Sequence, residues 1–255
     1  MLRDYPLTAS LATADAARAK RWYADKLGLE SAFEDGGYLG YKVGPGMFTV
    51  YETPTAGTAK NTVANLNVRD LDAEMARLRG RGVVFEDYDF GDFKTVNGVL
   101  RGESGGGNAW FKDADGNVLS LISDPKDPRP ATVSAMLVAS DIGRVRDWYR
   151  DRLGFENPAE HPGDVLGYRS GEGWFEVYRT QFAGTAKNTV GAWNVKDLRG
   201  EMAALRDRGV TFEDYDFGEM KTVDGVMTDP GGGLSAWFTD SEGNILALVQ
   251  YEMAG

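Results

Sequence analysis

The chain contains no cysteine, which excludes disulfides and thiolate metal sites. It holds a single histidine in 255 residues, so a metal site or catalytic centre built on two imidazoles is excluded as well. No apolar run approaches membrane-spanning length, and the opening "MLRDYPLTAS" lacks the apolar core of a signal peptide. A cytoplasmic protein without a membrane partner is expected. Basic residues are in deficit, 28 Lys and Arg against 39 Asp and Glu, for a net charge of −11. Nucleic-acid binding relies on clustered Lys and Arg to displace counterions, so no nucleic-acid partner is expected. The acidity reads first as solubility and second as attraction for a cationic ligand. What remains, 42% hydrophobic and 26% charged residues, is the composition of a soluble globular protein.

The dominant positive feature is repetition. "AGTAKNTV" occurs at residues 56–63 and again at 183–190, and "FEDYDFG" at 85–91 and 212–218, each 127 positions apart. "KTV" and "AWF" recur at the same offset. Nearer the N-terminus the offset is 126, with Asp15 matching Asp141 and Trp22–Tyr23 matching Trp148–Tyr149. One residue has therefore been inserted in the second copy, in the turn-forming stretch "ENPAEHPGD". Two homologous domains are predicted at 1–123 and 131–255, joined by a proline-rich linker at 124–130.

Each domain is built twice on one plan. "LTASLAT" alternates as a half-buried strand. Asp15 stands where a helix N-cap belongs and Gly28 where a C-cap belongs. Short strands follow at "SAFED", "GYLGYKV" and "MFTVYET". The pattern restarts with "TVANLNV", the cap Asp70 and the stripe Leu71, Met75, Leu78, then strands at "VVFED", "NAWFK" and "VLSLIS". Four βαβββ units are predicted, an α+β fold in which helices cover one face of curved mixed sheets and the other face forms cup-shaped cavities.

"DAARAKRWYADKLGL", "VRDLDAEMARLRGRGVVFED" and "AWFKDADGNVLSLI" resemble the vicinal oxygen chelate superfamily, which includes glyoxalases, bleomycin-resistance proteins and extradiol dioxygenases. The resemblance implies tandem glyoxalase-like domains. It also implies metal-ligand positions on the first and fifth strands, seven residues before the capping Asp, and on the last strand, three residues after the Asn of Asp-Gly-Asn. Here these are Thr8, Val63 and Ser120 in the first domain, and Ser134, Val190 and Ala247 in the second. None supplies an imidazole or a carboxylate, and a divalent ion needs strong donors to offset its dehydration. No metal and no other cofactor is expected. The lone His161, between Glu160 and Pro162, reads as an exposed loop residue without a role.

Strand alternation carried from those positions places Ser10, Met136, Asn65, Asn67, Asn194 and Ser120 on the cup face. Trp110 and Trp237 should point into the cups if Phe111 and Phe238 pack under the helices, and Tyr51 and Tyr178 are placed likewise. Trp22, Tyr23, Trp148 and Tyr149 read as helix-borne core. The repeated loop bearing Tyr88, Asp89 and Lys94, and its copy with Tyr215, Asp216 and Lys221, reads either as a rim or as a solvated loop braced by a Lys–Asp pair. Such a wall suits a hydrophobic or aromatic small molecule. The leading expectation is a metal-free, monomeric binding protein of the bleomycin-resistance type that sequesters an aromatic natural product. The alternative is a metal-independent isomerase, lyase or hydrolase using carboxylates or lysines such as Glu52, Asp89, Lys94, Glu176, Asp216 or Lys221. Among these Glu176 is placed in the cup, where its counterpart is Thr49. A metal-dependent glyoxalase or dioxygenase ranks last.

Overall fold

A computed structural model describes residues 2–35, 37–91, 93–102, 105–126, 131–217 and 220–251. The first quarter of the chain contains β1 (Leu7–Thr13), α1 (Ala16–Trp22), β2 (Phe33–Asp35), β3 (Tyr38–Val43) and β4 (Gly46–Glu52). The second contains β5 (Thr62–Asn67), α2 (Leu71–Gly80), β6 (Asp89–Phe90), β7 (Phe93–Lys94), β8 (Leu100–Arg101), β9 (Gly107–Lys112) and β10 (Val118–Ser123). The third holds β11 (Thr132–Ala139), α3 (Ile142–Trp148), β12 (Ala159–His161), β13 (Val165–Ser170) and β14 (Gly173–Arg179). The fourth holds β15 (Thr189–Asn194), α4 (Leu198–Asp207), β16 (Asp216–Phe217), β17 (Met220–Lys221), β18 (Met227–Thr228), β19 (Leu234–Thr239) and β20 (Ile245–Gln250).

These strands form two curved eight-stranded sheets, ordered β18-β19-β20-β15-β1-β4-β3-β2 and β12-β13-β14-β11-β5-β10-β9-β8, and two small hairpins, β6-β7 and β16-β17. The α+β expectation holds. Within each quarter the first strand pairs parallel with the last where the ladder is described, as in β1–β4, β5–β10 and β15–β20. A helix has to lie between two such strands, because parallel neighbours need a crossover.

The helices begin where the capping residues predict. Asp15, Asp70, Asp141 and Asp197 each accept the backbone N–H three residues on. α1 and α3 continue as single π-helical turns, Tyr23–Leu27 and Tyr149–Leu153, closed by Gly28 and Gly154 at φ 72 and 80. The predicted strand "VVFED" is not formed. Only a single bridge joins Phe85 to Phe111, because β9 also pairs with β8 further along its edge and the chain leaves between them to make the β6–β7 hairpin.

The chain forms two compact units, Ala9–Met136 and Met1–Thr8 with Leu137–Gly255, called here the N-terminal and C-terminal units. Residues 132–136 of β11 thus sit with the N-terminal unit, where β11 pairs antiparallel with β5. Of the predicted linker 124–130, residues 127–130 lie outside the described residues.

Each unit has its own aromatic core under α1 or α3. Tyr23 packs on Tyr41 and Phe48 at 4.8 and 5.4 Å, and Tyr149 on Tyr168 and Phe175 at 5.4 and 5.7 Å. Both helix tyrosines are fully buried. Trp22 and Trp148, predicted to be core, are half-buried on the helix flank and stack at 6.4 Å against Phe111 and Phe238.

The Asp-x-x-Gly-Asn loops tie the quarters of each repeat together. Asp113 accepts from the Tyr23 hydroxyl at 2.8 Å and from the Asn117 amide at 2.7 Å, and that amide also donates to Ala12 O at 2.7 Å. Asp240, Asn244, Tyr149 and Val138 repeat the arrangement in the C-terminal unit.

Candidate functional site

Within the N-terminal unit, four neighbouring strands carry one row of side chains. Ser134 of β11 faces Asn65 of β5, Asn65 faces Ser120 of β10, and Ser120 faces Trp110 of β9. Directly opposed residues in a ladder share a face and touch. Ser120 Oγ donates to Asn65 Oδ1, and Asn65 Nδ2 donates to Met136 Sδ at 2.9 Å. Every member of the row is buried, from Ser120 at 0% exposure to Trp110 at 9%.

At the end of the row the β6–β7 hairpin lies against Trp110. Tyr88 meets its indole edge-on at 5.8 Å, and Phe93 meets it tilted at 5.3 Å. Phe90 stacks on Tyr88 at 5.8 Å and is 68% exposed, so the aromatic cluster runs from the buried row to the surface. Burial raises the Tyr88 phenol above its ordinary range and Glu86 adds to this, so the phenol stays a neutral hydrogen-bonding group. The hairpin itself is braced by Lys94 Nζ to Asp89 Oδ2 at 2.6 Å, with Lys221 and Asp216 doing the same at 2.8 Å in the C-terminal unit. The loop therefore combines the two features predicted as alternatives: an ion pair braces it and its tyrosine covers the tryptophan. Phe90 and Phe93 were not legible in the sequence, because an aromatic in a two-residue strand gives no periodic signal.

The equivalent row of the C-terminal unit is apolar across β15, β20 and β19. Ala192 faces Ala247 and Ala247 faces Trp237, with Tyr215 edge-on to that indole at 5.7 Å. Of the remaining predicted residues, Ser10 is buried opposite Thr49, whose hydroxyl donates to it at 3.3 Å. Tyr51 is half-buried and stacks on Tyr38 at 5.5 Å. Asn67 is buried at the far end of β5, whereas Asn194, its counterpart on β15, is exposed. Glu176 is buried and Tyr178 half-buried on β14 of the C-terminal unit. His161 closes strand β12 rather than lying in a loop, because the inserted stretch pairs antiparallel with β13.

The superfamily's metal positions can be tested on this geometry. The seven-residue count lands on Val63 and Val190, and both fall where the β5–β10 and β15–β20 registers slip. A bulge residue is left out of the ladder, so Asn65 and Ala192 take the places in the rows. An ion in the N-terminal row would meet the Ser134 hydroxyl and the Ser120 hydroxyl and Asn65 carboxamide that are bonded to each other, a donor set that does not fit a divalent cation. Among the described residues no group of three or more His, Asp or Glu side chains gathers as a metal site would need.

An open depression of about 650 Å³ lies elsewhere on the N-terminal unit, lined by Arg79, Val83, Phe85, Asp87 and Gly98 among others. The Arg79 guanidinium sits over the Phe85 ring at 5.4 Å and donates to Asn97 O at 2.6 Å, so its charge is already committed there.

Residues 6–121 match the model of the Glyoxalase/Bleomycin resistance protein/Dioxygenase superfamily, and the second half repeats the first in sequence and in element order. That match covers the first of the two repeats. Glyoxalase I from Zea mays aligns over 92% of its own length and 96% of this chain at 17% identity, with a TM-score of 0.63. A mutant of the same maize glyoxalase I aligns with a TM-score of 0.69 at 15% identity, over 97% of this chain and 94% of its own. At such identities the likeness establishes the fold alone. A bleomycin-binding protein complexed with bleomycin covers 46% of this chain and 96% of its own at 23% identity, but its TM-score of 0.37 carries no argument. No curated protein matches the chain significantly. Among the described residues no helix is long and apolar enough to cross a membrane.

Proposed function

We propose that this chain is a tandem member of that superfamily and a monomeric, cytoplasmic binding protein that sequesters a planar, aromatic and largely uncharged small molecule on the Trp110 face of its N-terminal unit, without a metal ion. The observation that carries this reading is the run of contacts from the exposed Phe90 through Tyr88 to Trp110, next to the neutral row Ser120–Asn65–Ser134. Aromatic faces supply area and stacking, and a few neutral polar groups orient the guest. Because Tyr88 and Phe93 cover Trp110, the guest enters by lifting the β6–β7 hairpin and takes the place of those rings on the indole.

The three candidate acids and bases of this unit are held in structural bonds. Glu52 Oε1 accepts the Ala16 N–H at 2.8 Å at the start of α1, and Asp89 and Lys94 hold each other. Those bonds weigh against a metal-independent enzyme centred on these three residues.

Tryptophan fluorescence tests the proposal. A panel of planar aromatic compounds titrated into the protein should include one that quenches emission saturably at one equivalent. Trp110→Ala should weaken that ligand at least about tenfold, since one stacked aromatic is worth about 1–3 kcal/mol or more with its lost contacts. Emission unchanged across the panel, or equal affinity in the variant, contradicts the proposal.

A further inference from the structure

Asn97 is the one asparagine of the chain that is followed by glycine. A side-chain carboxamide is most open to attack by the next backbone nitrogen when that residue is glycine, because no Cβ hinders the approach. The pair forms the two-residue turn of a hairpin. Val96 and Val99 exchange backbone hydrogen bonds at 2.8 and 3.2 Å, and Asn97 and Gly98 both lie in the left-handed region, at φ 54 and 76. Asn97 is exposed and lines the open depression beside Arg79 and Asp87, so water reaches it.

The peptide between the two residues is gripped from both sides. Gly98 N–H donates to Asp87 Oδ1 at 2.8 Å, and Asn97 O accepts from Arg79 Nη2 at 2.6 Å. For ring closure Gly98 N has to turn about the Asn97 Cα–C bond towards Cγ. That single rotation carries the nitrogen away from Asp87 and the oxygen away from Arg79. The Thr95 hydroxyl donates to the same Asp87 oxygen at 2.9 Å. The Gly98 amide first, and then Thr95, hold the Asp87 carboxyl below its usual range, so it stays a charged acceptor in neutral and alkaline solution. Hydrogen bonds to an ionised partner are the stronger kind.

We infer that Asn97–Gly98 is a site of spontaneous covalent modification, at which asparagine is converted to aspartate and isoaspartate at a rate set by release of the turn from Asp87 and Arg79. Gly98 N loses its proton to solvent hydroxide and bonds to Asn97 Cγ. The Cγ–Nδ2 bond breaks, and the nitrogen leaves as ammonia with a proton from solvent. Water then opens the succinimide ring at either carbonyl, and no oxidant or reductant is needed. Attack at Cγ gives an ordinary chain with aspartate at 97. Attack at the backbone carbonyl carbon leaves the main chain running through Cβ and Cγ, one atom longer. The C-terminal unit already displays the first product. Asp224 and Gly225 occupy the equivalent turn at φ 54 and 78, with Gly225 N–H on Asp214 Oδ1 at 2.9 Å and Arg206 Nη2 on Asp224 O at 2.9 Å. Aspartate therefore fits this turn, whereas the longer isoaspartyl chain does not fit a two-residue turn. Thr95 Oγ1 also accepts the Tyr88 N–H at 2.7 Å, so the same clasp closes the base of the β6–β7 hairpin, and the isoaspartyl form loosens it.

Incubation of the full chain in mildly alkaline buffer, followed by trypsin and mass spectrometry, reads the peptide Thr95–Arg101. That peptide gains about 1 Da on conversion and resolves by chromatography into aspartyl and isoaspartyl forms. The folded chain should convert at least about tenfold more slowly than the same chain in urea, as a local opening that breaks one hydrogen bond to a charged group requires. Asp87→Ala should speed conversion of the folded chain at least about fivefold. Asp87→Asn, whose uncharged oxygen is a weaker acceptor, gives the same reading should the first variant not fold. Aged chain enriched in isoaspartate should exchange the Tyr88 amide hydrogen faster than fresh chain. No product at Asn97 in the folded chain after prolonged incubation, equal rates in the folded and unfolded chain, Asp87 variants that convert no faster than wild type, or unchanged exchange at Tyr88 overturns the inference.

Discussion

Two acidic residues in one turn of the C-terminal unit respond to pH in opposite directions. Burial is the largest influence on Asp240 and pushes its pKa up to about 6, against the lowering effect of hydrogen bonds from the Asn244 side chain, two backbone amides and Tyr149. Its folded pKa lies above the ordinary 3.8, so protonation favours the fold. That contribution is complete below about pH 4 and is lost as pH rises through about 6, on the order of 2–3 kcal/mol in all. Glu242, two residues on, is also subject to burial, which alone would raise it, but the Arg144 guanidinium and the Ser140 and Asp141 donors hold it below the usual carboxylate range. Arg144 grips it with Nε at 2.6 Å and Nη2 at 3.0 Å. This contribution is present above the ordinary glutamate value and fades as pH falls through the folded one. Asp240→Asn removes only the first effect. The stability gap between wild type and variant, read from urea midpoints, should therefore widen from about pH 7 to about pH 4.5, and a gap that narrows would contradict the account.

At the scale of elements, two glycines distinguish what a strand edge and a strand junction tolerate. The atoms nearest to a Cβ at Gly40 belong to the Phe33 ring, a side chain 38% exposed that can swing away. A Cβ at Gly106 would overlap the Ser123 carbonyl oxygen, which is backbone at the end of β10. Gly106→Ala should cost about 2 kcal/mol or more and Gly40→Ala under about 1 kcal/mol, measured by chemical denaturation. Equal costs would show that the backbone at Gly106 relaxes freely. Elements with a local signature were legible in the sequence: four Asp caps, the closing glycines, and the alternation that puts Trp110 and Phe111 on opposite faces. Where pairing depends on distant partners the sequence was silent. The bulge that takes Val63 out of the ladder is visible only once β10 lies beside β5. The strand that makes His161 part of a sheet face likewise exists only because β13 pairs with the inserted stretch.

At the scale of the whole chain, duplication has preserved a scaffold while its surfaces diverged. The capping Asp, the Asp-x-x-Gly-Asn loop and the tyrosine beneath it hold both repeats in the same way. The sheet faces differ in their side chains: Ser120 and Asn65 against Ala247 and Ala192, Thr49 against Glu176. The repeat and its fold were readable from offsets of 127 residues, because the same side chains must pack the same core. Ligand identity was not readable in this way, because neutral hydroxyls and amides serve many guests equally. The most direct test is calorimetric titration of the aromatic ligand found by fluorescence, before and after exhaustive treatment with EDTA. An unchanged dissociation constant is predicted. Binding that is lost on chelation and restored by a stoichiometric divalent ion would contradict a guest held by aromatic rings and neutral hydrogen bonds alone.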